Sequence, residues 1–321
     1  MLTFTFLGTS SGVPTRERNV TGLAVQAVPA GGGAGWFLID AGEGTQQQLQ
    51  RTKLSLHELA AVCITHVHGD HCYGLPGLLA SIGMAGRTKP LTLIGPRAAL
   101  EWFRVTCELT DLHLPYPVVP VDVAEQARVW DSGGVRIDAH PLRHRVPCHA
   151  YSVQVEQRRT TLDAAGLRTL GLPPGPMWKA LQSGQDVTWR DTVLRSADWV
   201  SHETRRVRAV FGGDNAEPAV LREACVDAQV LVHEATYTQA VLDKVGPGPM
   251  HSAAAGVAEF ARSAGLPNLV LTHFSPRYHS DQGMADLQAE ASARYDGRLW
   301  LAKDLDRFEL DVTGVLKKVS E

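Results

Sequence analysis

A short histidine-rich segment contains four side chains that are typical metal ligands. These are His66, His68, Asp70 and His71. They follow an apolar run at residues 59–64 that has the length of a strand. Since side chains alternate along an extended chain, the first two histidines are expected to point the same way. Gly69 permits a tight turn that brings the last two ligands back to the same point. Imidazole and carboxylate without thiolate suit zinc, with manganese or iron as alternatives.

Further metal ligands are expected downstream of this segment. Four ligands are too many for one catalytic ion, which must keep an open position, and too few for two ions. The same pattern, an apolar strand followed by a metal-competent residue, occurs three more times. The residues concerned are His144, Asp214 and His273.

Apolar strands and helices alternate in both halves of the chain, which predicts an α/β fold built of packed layers. The predicted strands are Leu2–Leu7, Gly22–Val28, Trp36–Asp40, Leu59–Ile64, Leu91–Ile94, Arg136–Leu142, Tyr151–Glu156, Ala209–Phe211, Ala228–Val232 and Leu269–Leu271. The predicted helices are Thr45–Arg51, Leu75–Met84, one that begins at Ala98, and Ala253–Ala264. Each candidate ligand therefore lies close to the end of an element.

One stretch interrupts this alternation. Between residues 156 and 206 the apolar pattern weakens, and Gly171–Pro176 is too rich in glycine and proline for a helix or a central strand. We predict one domain over residues 1–321 with an inserted arm at 156–206, a pair of interdomain helices being the alternative. The arm is mildly basic through Arg158, Arg159, Arg168 and Lys179, although an ordinary solvated surface would look the same.

Composition excludes several classes of protein. The 31 Lys and Arg against 34 Asp and Glu argue against a globally basic nucleic-acid-binding protein, but a local basic surface stays open. The five cysteines show no CxxC pairing, which predicts free thiols in a reducing, cytoplasmic setting. No apolar run approaches the ~18 residues of a membrane span, and the N-terminus is interpreted as a strand, not a signal peptide.

The motifs together resemble the metallo-β-lactamase superfamily, and more closely the short form of the ribonuclease Z family of transfer-RNA 3′-processing endonucleases. The HxHxDH motif is shared across the superfamily, whereas HEAT at 233–236, His-Ser at 251–252 and the Gly/Pro segment are specific to the family. The resemblance extends nearly end to end. It rests on Phe6–Thr9, Asp40–Gly44, His66–His71, Leu142–Pro147, Gly171–Pro176, His233–Thr236, His251–Ser252 and Leu271–Tyr278.

The resemblance implies a four-layer αβ/βα sandwich and two zinc ions per subunit. The first ion would be held by His66, His68, His144 and Asp214, and the second by Asp70, His71, Asp214 and His273, with Asp214 as the bridge. It also implies a homodimer in which the arm of one subunit grips RNA for the active site of the other.

The activity implied is removal of the 3′ trailer from precursor tRNA, which leaves a 3′-hydroxyl on the tRNA and a 5′-phosphate on the trailer. Two ions ~3.5–4 Å apart can share one hydroxide and lower the pKa of its parent water toward ~7. Asp70 would orient this water or accept its proton, and His251, oriented by Glu234, would protonate the leaving oxygen. Without the resemblance, Glu234 is better interpreted as a surface acid at a strand end.

Substrate contacts are implied in three places. Gly171, Pro173, Pro174, Gly175 and Pro176 resemble the exosite tip that contacts the elbow of tRNA. Arg16 and Arg18 lie in a loop that resembles the sensor of the 3′ CCA end, with Arg16 where lysine is usual. Ser275 and Arg277 are candidates for phosphate contacts, the alternative being a simple turn around Pro276. The chain also carries Asn215 and Ala253 where the family usually has threonine.

Two other functions fit parts of the sequence. A hydrolase of a small phosphodiester, thioester or lactam on the same fold would not need the insertion. An RNA-binding protein without catalysis is disfavoured because all seven predicted ligand positions are filled.

Overall fold

Two large β-sheets carry the main core, in a computed structural model that describes residues 1–29, 35–278 and 280–319, without the side chains of 157–159. The strands are β1 Leu2–Gly8, β2 Gly22–Ala27, β3 Trp36–Ala41, β4 Leu59–Cys63, β5 Leu91–Gly95, β6 Val118–Asp122, β7 Arg128–Ser132, β8 Val135–Pro141, β9 His149–Leu162, β10 Val187–Trp189, β11 Thr192–Leu194, β12 Val200–Phe211, β13 Val230–Glu234, β14 Asn268–Thr272, β15 Arg298–Leu301, β16 Arg307–Leu310 and β17 Leu316–Val319. One sheet has the order β17-β16-β1-β2-β3-β4-β5-β6 and the other β15-β14-β13-β12-β9-β8-β7.

The described residues also form helices. They are α1 Thr45–Leu49, α2 Gly69–Cys72, α3 Leu75–Met84, α4 Arg97–Leu109, α5 Ala164–Thr169, α6 Pro176–Gln182, α7 Ser196–Trp199, α8 Gln239–Val245, α9 Ala254–Ser263 and α10 Asp281–Ser292. Short 3₁₀ turns occur at Leu56–Glu58, Pro218–Leu221 and Pro276–Tyr278. No helix in the described ranges is long and apolar enough to cross a bilayer.

The main core lies between the sheets and contains aromatic residues from both. The Phe4 ring lies 5.3 Å from Phe308 in its own sheet and 5.4 Å from Phe211 in the opposite sheet, measured between centroids. On the outer faces, α3 and α4 pack on the first sheet and α9 and α10 on the second. Every residue of β1 and β3 is buried because these strands are covered on both faces. The predicted four-layer sandwich is confirmed.

Residues 156–206 form a second compact unit, separate from the unit of residues 1–155 and 207–321. The second unit contains the β10–β11 hairpin and three short helices, and its own apolar cluster includes Leu167, Leu181 and Leu194. The Gly/Pro segment is not wholly outside helices, because Pro176 occupies the first position of α6, where a missing N–H costs nothing. The side chains of Arg158 and Arg159, predicted to add positive charge here, lie outside the described residues.

Candidate metal centre and active site

The HxHxDH segment lies beyond the end of a strand and enters a short helical turn. Strand β4 ends at Cys63 and Gly69 begins the single turn of α2, with His68 still in an extended conformation, and His66 and His68 direct donor atoms to the same group. The predicted turn at Gly69 is present, since the His71 N–H donates to the His68 carbonyl at 3.0 Å, but Gly69 forms it without a positive φ. A Cβ at this position would lie 2.3 Å from the ring of Tyr73, so the ring packs directly on the glycine backbone.

A first group of donor atoms combines three parts of the chain. It consists of His66, His68, His144 and Asp214, whose donor atoms lie within 4.8 Å of one another. Nδ1 of His68 lies 3.0 Å from Nε2 of His66 and 3.1 Å from Nε2 of His144. Oδ2 of Asp214 lies 3.7 Å from both of those Nε2 atoms. Four donors thus converge on one point.

A second group lies on the other side of Asp214. Nε2 of His71 and Nε2 of His273 are 3.3 Å apart, and Oδ2 of Asp70 lies 3.5 and 3.4 Å from them. Oδ1 of Asp214 lies 3.3 and 3.2 Å from the same two nitrogens. The two oxygens of one carboxylate therefore face different donor groups.

These donors fit divalent metal ions. Oδ1 of Asp214 is buried and has no hydrogen-bond partner, although two imidazole nitrogens lie within 3.3 Å of it. Donors around a tetrahedral ion with bonds of 2.0–2.1 Å would be about 3.3–3.4 Å apart, close to the separations in the second group. Burial raises the pKa of Asp214, but the surrounding imidazoles outweigh it and hold this pKa well below its usual range.

The other ring nitrogen of four ligand histidines has a partner that orients the imidazole. The pairs are His71 Nδ1 with Asp40 Oδ2 at 2.8 Å, His66 Nδ1 with Thr65 Oγ1 at 3.0 Å, His273 Nδ1 with Thr236 Oγ1 at 3.0 Å, and His144 Nδ1 with the Met250 carbonyl at 3.1 Å. Such partners fix the tautomer and leave Nε2 free to bind metal. Our sequence reasoning missed these partners. Asp40 and Thr236 lie in motifs that carry the family resemblance, so their roles could have been predicted from the sequence. The carbonyl of Met250 could not, because every residue has a backbone carbonyl.

A histidine–carboxylate pair lies beside the donor groups. Nδ1 of His251 is 3.1 Å from each carboxylate oxygen of Glu234. Glu234 is buried at the end of β13 and also accepts the Asn215 N–H at 2.6 Å and the Thr236 hydroxyl, so its interpretation as a surface acid is wrong. Burial lowers the pKa of His251, but Glu234 and Asp214 outweigh it and raise this pKa to about 9.

Comparison with known proteins decides the family. Residues 35–171 match the family model described as a β-lactamase superfamily domain. A ribonuclease Z of Marinobacter nauticus is 46% identical, and one of Pseudomonas putida is 44% identical, each covering 98% of this chain and 98% of the relative. The chain belongs to the ribonuclease Z family. The solved structure of human tRNase Z, short form, shares the fold with a TM-score of 0.63 at 23% identity, covering 96% of this chain and 99% of that one.

In this ribonuclease Z family member, the predicted RNA-contacting residues differ in exposure and in their hydrogen bonds within the protein. The guanidinium of Arg18 donates to the Thr9 hydroxyl at 2.6 Å and to the Ala302 carbonyl at 2.9 Å, so it anchors its own loop. Arg16 in the same loop is exposed. Arg277 is exposed and donates to the Ser275 hydroxyl at 3.0 Å. Contacts of these residues and of the Gly/Pro segment with RNA stay predictions.

Proposed function

We propose that this ribonuclease Z family member is a metal-dependent endoribonuclease that removes the 3′ trailer from precursor tRNA. Its products would carry a 3′-hydroxyl on the tRNA and a 5′-phosphate on the trailer. The observation that carries the proposal is the position of Asp214, whose two oxygens face two donor groups, next to the His251–Glu234 pair. Relatives named ribonuclease Z at 44–46% identity support the same class of substrate.

The two donor groups would each hold one zinc ion, with manganese or iron as alternatives. The ligands would be His66, His68, His144 and Asp214 for one ion, and Asp70, His71, Asp214 and His273 for the other. When bound, such ions lower the pKa of water toward neutrality and offset negative charge on a phosphodiester. Asp70 is suited to orient water, because its Oδ2 accepts the Gly12 N–H at 2.8 Å and is thereby held in place.

His251 would donate the proton to the leaving 3′-oxygen. Its Nδ1 is engaged by Glu234, so Nε2 is the nitrogen that can face a substrate. Donor atoms of Asp214, His251 and His273 also lie within 4.8 Å of one another, which makes metal binding by His251 the competing role. We favour proton donation because both oxygens of Glu234 stabilise the charged imidazole.

Two alanine variants test these roles on a labelled precursor tRNA. His68→Ala should lose both bound metal and cleavage. His251→Ala should keep its full metal content and lose about 10²–10⁴-fold in rate, as expected for a general acid. His113→Ala, at an exposed histidine, is the matched control. A His251→Ala protein that loses one metal ion would make His251 a ligand, and wild-type cleavage by either variant would contradict its role.

We further propose that residues 156–206 are an RNA-binding arm, that the protein acts as a homodimer, and that it works in the cytoplasm. The compact fold of 156–206 on its own apolar cluster supports a separate role for this unit. Replacing the arm by a short linker should abolish cleavage of precursor tRNA but spare an activated small phosphodiester. Equal loss on both substrates would argue against the arm, and a monomer in sedimentation of the active enzyme would argue against the dimer.

A further inference from the structure

An exposed aromatic side chain lies immediately after the metal-binding segment. Tyr73 follows His71 by two positions, at the end of α2, and its N–H donates to the Gly69 carbonyl at 2.9 Å. The residue is 63% exposed. Neither the metal centre nor the proposed acid uses this ring, and its exposure is not explained by packing in the core.

The ring packs against a second aromatic side chain. Tyr73 stacks on Trp102 of α4, with centroids 5.9 Å apart and planes 29° apart. Trp102 is itself half-buried against the cluster of apolar side chains beneath α3 and α4. A tyrosine held in this way presents a flat apolar surface at small cost in conformational entropy.

The Tyr73 ring also contacts the metal-binding segment. A Cβ on Gly69 would lie 2.3–2.6 Å from three atoms of the Tyr73 ring, so the ring lies against the backbone between His68 and Asp70. These two neighbours belong to different donor groups. The exposed ring therefore contacts the backbone that joins the two donor groups, and we call this position the rim of the site.

We infer that Tyr73, supported by Trp102, stacks on a nucleobase of one of the two nucleotides that flank the scissile phosphate. The inference rests on the proposed function. A phosphate bound between the donor groups brings both flanking nucleotides to this rim, and an unpaired base offers a π face to an aromatic ring. Because every base has such a face, the contact adds binding energy without sequence preference.

The test is a double-mutant cycle between the protein and the substrate. Precursor tRNA is prepared intact and with an abasic residue at either flanking position, and kcat/KM is measured with wild type, Tyr73→Phe, Tyr73→Leu and Tyr73→Ala. On intact precursor, Tyr73→Ala should lose about 5- to 150-fold and Tyr73→Phe almost nothing. With the stacked base removed, wild type should lose the same factor and Tyr73→Ala should lose no more.

Controls separate stacking from a structural role. Tyr73→Leu keeps apolar packing on Trp102 but lacks the π face, so its thermal midpoint should stay near wild type while its kcat/KM falls. Met84→Ala, at an exposed apolar residue of α3, should leave kcat/KM unchanged. Cleavage by wild type with no coupling at either abasic position would overturn the stacking alone. A wild-type protein that cleaves no precursor tRNA would overturn the proposed function and the stacking with it.

Discussion

A single carboxylate on α10 connects the beginnings of two helices that flank His251. Oε1 of Glu290 accepts the Gln239 N–H at 3.0 Å and the Ala255 N–H at 2.9 Å, and Oε2 lies 2.9 Å from the Gln239 nitrogen. These donors lie in the first turns of α8 and α9, and α9 has no side-chain cap at Ala253. The carboxylate therefore replaces a conventional cap and holds both ends of the segment that carries His251.

The change Glu290→Gln should destabilise the fold by about 2 kcal/mol. A hydrogen bond to a charged group contributes about 1.5–3 kcal/mol, and a negative charge near a helix N-terminus contributes about 0.3–1 kcal/mol. A glutamine oxygen in the Oε1 position can still accept both N–H groups, but it is neutral, so both bonds weaken and the charge near the two helix N-termini is lost. Denaturant unfolding measures this loss, and Glu259→Gln, at an exposed position of α9, is the matched control.

A second substitution tests whether Glu290 caps α9. Ala253→Ser supplies a side-chain cap to α9, which should restore about 1 kcal/mol in the Glu290→Gln background. In wild type the same substitution should gain little, because Glu290 already accepts the Ala255 N–H. An equal gain in both backgrounds would refute the assignment of Glu290 as the cap of this helix.

Three further outcomes are expected. Asp40→Asn removes the charge that orients His71, so metal affinity should fall about 10–100-fold in chelator competition, and unchanged affinity would disprove this role. The raised pKa of His251, about 9, means that the protonated acid persists at neutral pH and is lost as pH rises through that value. Glu234→Gln should therefore move the alkaline limb of the kcat profile to lower pH, and an unshifted limb would count against the pair. Arg18→Ala breaks internal hydrogen bonds and should lower the thermal midpoint by several degrees. An unchanged midpoint would show that these bonds do not stabilise the fold and would favour RNA binding as the role of Arg18.

The ligands could be predicted from sequence for a topological reason. Strands β12, β13 and β14 are parallel neighbours, so their carboxyl ends meet at one edge of the sheet. Asp214 follows the first, Glu234 ends the second and His273 follows the third. A metal-competent residue after each apolar strand can therefore be recognised in the sequence alone. The layered fold was also predictable, because apolar strands and helices alternate along the chain.

Other parts of the site have no local signal. The Met250 carbonyl accepts from His144 across 106 positions of sequence, and Met250 takes a left-handed backbone conformation with φ of 58°. Glu290 acts 35 positions away from the helix that it caps. Strands β16 and β17 were not predicted, because they are short and mix charged with apolar residues at the edge of their sheet. Contacts of these kinds depend on how distant segments pack together, and the spacing of apolar residues in the sequence does not predict this.

Three buried carboxylates surround the centre, and they differ in how their charge is satisfied. Asp40 accepts two bonds from Thr65 and faces His71, and both oxygens of Glu234 have partners. Among the carboxylates that the structure describes, Asp214 is the one with a buried oxygen that lacks a hydrogen bond. An ionised oxygen held away from water without a donor is costly, and a nearby cation offsets that cost directly. The geometry at Asp214 is therefore explained by metal binding and not by the hydrogen bonds that stabilise the other two.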